Sequence, residues 1–399
     1  MSTRDQKIII GVLLFVLVTI GGMFLGFRAL YNTFNIRIDI PFLPPVGEAM
    51  PPPPEQLLVE GTSVPSNLEH YINYRDGSYF DLPIRGATGW AARNTPLRTG
   101  AGFSESIVEQ LSAGAVFTVM SQHPDFLRVV TPTGQEGFVA SAHSFINVPD
   151  VLPSMVFNVT NAHASEFRTN DFNIEGLTGL QLYQAHGFNE RLGRESFIVP
   201  VHMSAVTALA RAQTLALAQG NTIIMNEAYR PRPIQQLVVN SLQATIDTNE
   251  SARQFINSGG WHLGWFISTG VSNHQRGAAV DISLARINEA EVATTGGYRY
   301  LNVVRYTEYR MPSRIHDLSP LAAITYTPVS PGQAGWRNQR LLSNLPEGTV
   351  TLHHLMLDAG WVPLASEWWH FDYLPASQVA RDAGIAGYFF TQQVYSIAP

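Results

Sequence analysis

His274 and Asp281 stand seven residues apart with Gly277 between them, in the stretch Ser272-Asn-His-Gln-Arg-Gly-Ala-Ala-Val-Asp281. A strand turns successive side chains to opposite faces, so an odd separation on one continuous strand would send these two apart. If both serve one centre, the chain has to break at the glycine. His274 then sits on a turn, and Asp281 projects from the apolar strand Ala278 to Ile282, where Ala278 and Ala279 leave room for close packing. Imidazole and carboxylate suit a borderline-soft divalent ion such as zinc, which in catalytic sites takes three protein ligands and keeps one position open. The third ligand has to come from elsewhere. Glu367-Trp-Trp-His370 near the C-terminus supplies a histidine with an acid three residues before it.

Each residue alone has a plainer reading. One histidine among twelve is more often a hydrogen-bonded structural group, and an Asp after an apolar run is usually a turn or cap. His353 and His354 read as structural or surface residues, and Trp368 and Trp369 as core packing. It is the two ordered motifs together that point to a site.

Composition narrows the chemistry further. The 399 residues contain no cysteine, which removes disulfides, thiolate metal sites and cysteine nucleophiles. Lysine occurs once, as Lys7, so a folded domain has no phosphate-loop, Schiff-base or Ser-Lys lysine, and no Gly-x-Ser-x-Gly elbow is present. The net charge of -6 provides no basic stripe, so nucleic acid is not an expected partner. What is left is metal, carboxylate and histidine chemistry.

The chain begins with an apolar run over 8–27, long enough as a helix to cross ~30 Å of hydrocarbon. It is expected to be an N-terminal transmembrane helix (1–31) that anchors a single-pass protein in the cell membrane with its catalytic domain extracytoplasmic; a cleaved signal peptide is the competing reading. A proline-rich linker (32–58), with Pro51 to Pro54 in a row, favours extended geometry. A transition segment (59–89) follows. Over 90–148 short alternating apolar runs such as Val116-Phe-Thr-Val119 and Phe126-Leu-Arg-Val-Val130, broken by Gly and Pro turns, read as a small all-β barrel. From 151 to 399, helical patterns at Met203 to Gln219 and beyond Ile234 alternate with strands such as Thr222 to Met225, as in an α+β domain. The stretch 288–350 has weak periodicity and is read as an insertion near the site's mouth, or a surface elaboration.

Two resemblances follow from these residues. Pro96-Leu-Arg-Thr-Gly100 and Gly134-Gln-Glu-Gly-Phe-Val139 resemble the start and end of a bacterial SH3-type domain, which implies a cell-wall ligand or a spacer role. Ser272, His274, Gly277, Ala279 and Asp281, then Glu367, Trp369 and His370, with Tyr229, Arg230 and Gln235 upstream, resemble the VanY-type D-alanyl-D-alanine carboxypeptidases. Those belong to the LAS group of zinc metallopeptidases, to which lysostaphin-type enzymes and hedgehog domains are related. The resemblance implies an α+β zinc peptidase domain of the hedgehog/D-Ala-D-Ala peptidase type behind a small all-β SH3-like barrel and one N-terminal transmembrane helix. It implies Zn2+ on His274, Asp281 and His370, Glu367 as catalytic base, and Arg230 at the oxyanion or substrate carboxylate. Ser272, Gln235, Tyr229 and Trp369 would contact substrate. The expected activity is removal of a terminal D-alanine from peptidoglycan stem peptides, with an L,D-carboxypeptidase, a dipeptidase, an endopeptidase or a non-catalytic wall-binding protein as alternatives. Pro231 and Arg276 depart from the family pattern and bear on substrate preference.

Overall fold

The computed structural model describes residues 80–330, 339–391 and 393–399, all within one compact unit spanning 48–399. Seven short strands build the barrel: β1 (Thr88–Ala91), β2 (Thr95–Arg98), β3 (Ile107–Leu111), β4 (Val116–Gln122), β5 (Phe126–Val130), β6 (Glu136–Ala140) and β7 (Ser144–Asn147). Their inward residues, among them Trp90, Leu97, Phe117, Val119, Leu127, Val129 and Val139, are buried, as alternation on a sheet with one covered face requires.

A short helix α1 (Val148–Val151) leads to β8 (Val156–Phe157), and two small hairpins follow: β9 (Arg168–Thr169) with β10 (Phe172–Asn173), and β11 (His186–Asn189) with β12 (Arg194–Phe197). Then β13 (Pro200–His202) pairs with β7, so the barrel sheet takes in a strand from the following domain. One buried apolar cluster runs from Trp90 through Phe145 to Trp369. The barrel is therefore not an independent bead on a string.

Helix α2 (Met203–Leu217) starts directly after β13. His202 caps it, with its Nδ1 accepting from the Ser204 amide at 3.2 Å. Its buried alanines, Ala205, Ala208, Ala212 and Ala216, expose little bulk and let it lie close to β14 (Asn221–Glu227), every residue of which is buried. Helices α3 (Arg232–Thr248) and α4 (Glu250–Ile256) precede the long hairpin of β15 (Ala279–Thr295) and β16 (Tyr298–Glu308). Helix α5 (Glu347–Asp358), strands β17 (Val362–Pro363) and β18 (His370–Asp372), and helix α6 (Leu374–Asp382) complete the element order. The second sheet runs β17-β18-β15-β14-β8, with β16 on β15; only β8 lies parallel to its neighbour.

Two expectations are corrected. Among the described residues no helix is long and apolar enough to cross a membrane. The longest, α3, has 17 residues and carries Arg232, several glutamines and Asp247, short of the ~20 apolar residues a span needs. The described fold is β-rich with an SH3-like region, and the fold class with a transmembrane helix, together with the single-pass membrane placement, is not carried further. The segment 8–27 on which those expectations rested lies outside the described residues, as does the proline-rich linker. The stretch 288–350 is not one excursion. Up to Glu308 it extends the second sheet as a hairpin whose half-exposed strands blur the period-2 pattern, and beyond it the chain brings His316 against Asp281 of β15.

Candidate active site

Three neighbouring strands deliver the centre. Glu227 on β14 lies opposite Asp281 on β15, and Asp281 lies opposite His370 on β18. Directly opposed residues project to the same face, so the three form a row across the sheet. A register shift between Met225 and Glu227 inserts Asn226 as an extra residue, and without that bulge Glu227 would fall out of line. His274 arrives from a single 3-10 turn, His274–Arg276, closed by Gly277 at φ 62°. A Cβ there would come within 2.8 Å of the His202 amide nitrogen and the Phe145 ring, so this turn accepts only glycine.

The ligand atoms of His274, Asp281 and His370 lie within 4.8 Å of one another. His274 Nε2 is 3.3 Å from Asp281 Oδ1, His370 Nδ1 is 3.0 Å from the same oxygen, and the two ring nitrogens are 3.1 Å apart. The outward nitrogens decide the tautomers. His274 Nδ1 faces the Ala228 carbonyl at 2.6 Å and His370 Nε2 faces Asp372 Oδ1 at 3.1 Å, so each donates there. Two imidazole lone pairs and a carboxylate oxygen then converge on one point, which is repulsive unless a cation sits between them. Ligands about 2.0–2.1 Å from a tetrahedral ion stand roughly 3.3 Å apart, so the donor set fits zinc. The same demand for positive charge shows in His370: burial lowers its pKa, but the carboxylates of Asp372 and Asp281 outweigh that and hold it well above the usual imidazole range.

Asp281 also faces a second group. Its Oδ2 accepts from Arg230 Nη2 at 3.2 Å and lies 3.1 Å from His316 Nε2. Glu227 takes Arg230 Nε at 2.8 Å and Arg230 Nη2, while its other oxygen accepts from Asn161 and Tyr183. Burial pushes the Glu227 carboxyl up, but Arg230 and His316 outweigh it and hold it below its usual range. Phe167 lies against both groups, stacked on the His316 ring at 4.7 Å and 5.1 Å from the Arg230 guanidinium carbon.

A pocket of about 390 Å³ opens over the centre, lined by His274, Asp281, His370, Glu367, Arg230, Ser272, Gln235 and Trp369 among others. Glu367 Oε2 lies 3.7 Å from His370 Nδ1. Burial pushes its carboxyl up to about 8, with His370 opposing and Asp281 adding to the rise. Ser272 Oγ is buried with no hydrogen-bond partner. Both ends of the Gln235 amide are engaged, the nitrogen on the Ser268 carbonyl at 2.8 Å and the oxygen on Arg230 Nη1 at 2.9 Å. Tyr229 is not at the pocket; it is buried behind Arg230 and donates its hydroxyl to the Phe389 carbonyl at 2.7 Å. Trp369 is buried at the pocket wall, edge-on to His316.

Three residues of the centre carried no assignment in the sequence reading: Glu227, His316 and Asp372. Two had a local signal. Glu227 is three residues before Arg230 at a strand end, and Asp372 is two residues after His370, the same-face spacing on a strand. His316 sits at φ 58° in an irregular stretch, and no pattern in its neighbours marks it.

Comparison with known proteins bears on both halves of the chain. A family model described as a bacterial SH3 domain matches residues 93–144, inside the barrel. The D-alanyl-D-alanine dipeptidase of Escherichia coli (strain K12) is 28% identical over 172 residues, which are 43% of this chain and 65% of that relative. The chain thus spans a little under two thirds of the length of the curated relative it matches. Together these likenesses support a peptidase-like chain that carries a bacterial SH3 region.

Proposed function

We propose that this protein is a zinc peptidase that hydrolyses the terminal D-alanyl-D-alanine bond of peptides derived from peptidoglycan. The observation that carries the reading is the convergence of the His274, Asp281 and His370 ligand atoms beside the Glu367 carboxyl, in a pocket that also holds Arg230. His274, Asp281 and His370 would hold the ion. Bound there, zinc supplies Lewis acidity toward the scissile carbonyl and makes water a usable nucleophile near neutral pH. Glu367 is the group placed to accept a proton from the attacking water and return it to the leaving amine, and a carboxyl poised near neutrality suits both tasks. Arg230 has four N–H groups committed to Glu227, Asp281 and Gln235, which locks its plane and leaves one Nη1–H for substrate oxygen. Ser272 Oγ, buried and unpartnered at the pocket, would contact the peptide. Gln235 acts in this reading by fixing Arg230.

The name of the relative favours a second reading, in which the free dipeptide is the substrate. One experiment separates the two. Purified protein with one equivalent of zinc is incubated with a pentapeptide stem ending in D-Ala-D-Ala and, separately, with the free dipeptide, and products are identified by mass. Release of D-alanine from the stem supports the first reading; cleavage of the dipeptide alone supports the second. Glu367→Gln should keep zinc and lower turnover by about 10²–10⁴-fold. A near-normal rate would remove Glu367 as the base.

A further inference from the structure

The backbone between Glu227 and Arg232, which carries Tyr229 and Arg230, is irregular and has no ladder or helix to hold it. Its restraints come from two sides. From the first side, the Ala228 carbonyl accepts from His274 Nδ1 and the Arg230 carbonyl accepts from the Gln275 side chain at 3.1 Å. The other side is the segment that follows α6. The Gly387 carbonyl accepts from the Arg232 amide at 2.8 Å. Gly387 has φ 72°, and a Cβ there would come within 2.8 Å of Gln275 Cβ and 3.0 Å of its carbonyl oxygen. Phe389 is buried, stacks on Tyr229 with ring centroids 5.0 Å apart and planes 19° apart, and accepts the Tyr229 hydroxyl on its carbonyl.

Farther along, the same segment is bound to the barrel. The Gln393 carbonyl accepts from Trp90 Nε1 at 3.2 Å. The Tyr395 amide donates to Thr88 Oγ1 at 3.0 Å, and its carbonyl accepts from Thr118 Oγ1. The Ile397 amide donates to the Gly86 carbonyl at 2.9 Å. Thr88 and Trp90 belong to β1 and Thr118 to β4, neighbours in the barrel sheet. Phe389 bridges the two ends of this path, because it also packs on Phe145 of β7 at 5.9 Å.

We infer that the barrel takes this chain's own C-terminal segment as its partner, and that through it Gly387 and Phe389 act as positioning residues for Arg230. The inference rests on the role given to Arg230 above. Contact with substrate is not required of either residue; they hold the backbone from which the guanidinium reaches the pocket, as a supporting shell must if a site is to stay in register.

The test uses the full chain and three variants: Phe389→Ala, the near-isosteric pair Thr88→Val with Thr118→Val, and Phe389→Tyr, which keeps the stacked ring. Readouts are bound zinc, kcat and KM on the pentapeptide stem, and hydrogen exchange of the Arg232 amide. Phe389→Ala should lower kcat about tenfold with KM changed less than about twofold, and should speed Arg232 exchange about tenfold, with zinc still bound. The double threonine variant should move kcat and exchange the same way, by about threefold, although it alters only the barrel. Phe389→Tyr should restore near-parental values. Unchanged kcat and unchanged Arg232 protection in Phe389→Ala overturn the inference; if that variant does not fold, the threonine pair decides alone. A parent protein that releases no D-alanine would defeat the functional reading, and Arg232 exchange would still decide the positioning role.

Discussion

Asp281 divides two histidine–carboxylate clusters, one on each of its oxygens. On the Oδ1 side stand His274 and His370, whose inward nitrogens carry lone pairs; on the Oδ2 side stand His316, Glu227 and Arg230. Both groups bring three ligand-type atoms within 4.8 Å of one another, and both are buried. What separates them is one guanidinium. Arg230 already neutralises Glu227 and the Oδ2 side of Asp281, whereas the Oδ1 side has no fixed cation. A dication brought within about 4 Å of Arg230 would meet repulsion on the order of 8 kcal/mol at an effective dielectric of 20. Ligand type and spacing therefore nominate two candidate metal sites, and charge balance favours the one on the Oδ1 side.

The sharpest break of that contrast is His370→Ala. It should lose stoichiometric zinc and lower turnover by more than about 10³-fold, read by metal analysis after dialysis and by D-alanine release. Retained zinc would place the ion elsewhere. Arg230→Ala attacks the other side: two carboxylates left buried without their partner should cost about 3–5 kcal/mol in urea unfolding. In the same variant, saturating zinc should raise the stoichiometry from one toward two. A variant that stays at one ion at every zinc concentration shows that something other than Arg230 closes the second cluster.

His202 extends the contrast to a buried histidine with no acid beside it. Burial pushes its pKa down to about 4, against the Ala142 carbonyl bond that favours the charged ring. Its Nδ1 must stay unprotonated to cap α2. The folded value lies below the unfolded one of about 6.5, so the stability is complete above that pH and drains away as pH falls toward 4, by about 3 kcal/mol in all. Urea unfolding from pH 7 to 4 should show that loss, and His202→Asn, which keeps a capping oxygen, should flatten the curve; parallel curves would refute the assignment. The smallest effect is expected from His316→Phe. It leaves His274 and His370 in place but removes one of the two partners of Asp281 Oδ2, the other being Arg230, and it should weaken zinc about tenfold. Unchanged affinity would make His316 a packing residue only.

Most of the strands and helices that place the site were legible because their patterns are local. Thr222 to Met225 is a short apolar run, Met203 to Gln219 is rich in helix formers that stop at Gly220-Asn221, and Gly277 lies where the odd spacing of His274 and Asp281 demands a break. His316 was not legible, because it is held by contacts with Phe167 and Asp281 from distant parts of the chain. The Tyr229-Arg230 motif points Tyr229 toward substrate, but its ring is drawn the other way by Phe389, 160 residues later.

The order of residues alone narrowed the chemistry. With no cysteine, a lone lysine and paired His/Asp and Glu/His motifs, little but a metal-and-carboxylate centre could be built. Only the tertiary structure decided which oxygen of Asp281 faces which partner, that Arg230 neutralises one side, and that the barrel holds the segment after α6. Those outcomes depend on cross-strand register, on a one-residue bulge before Glu227 and on long-range packing, and none of these leaves a periodic trace along the chain.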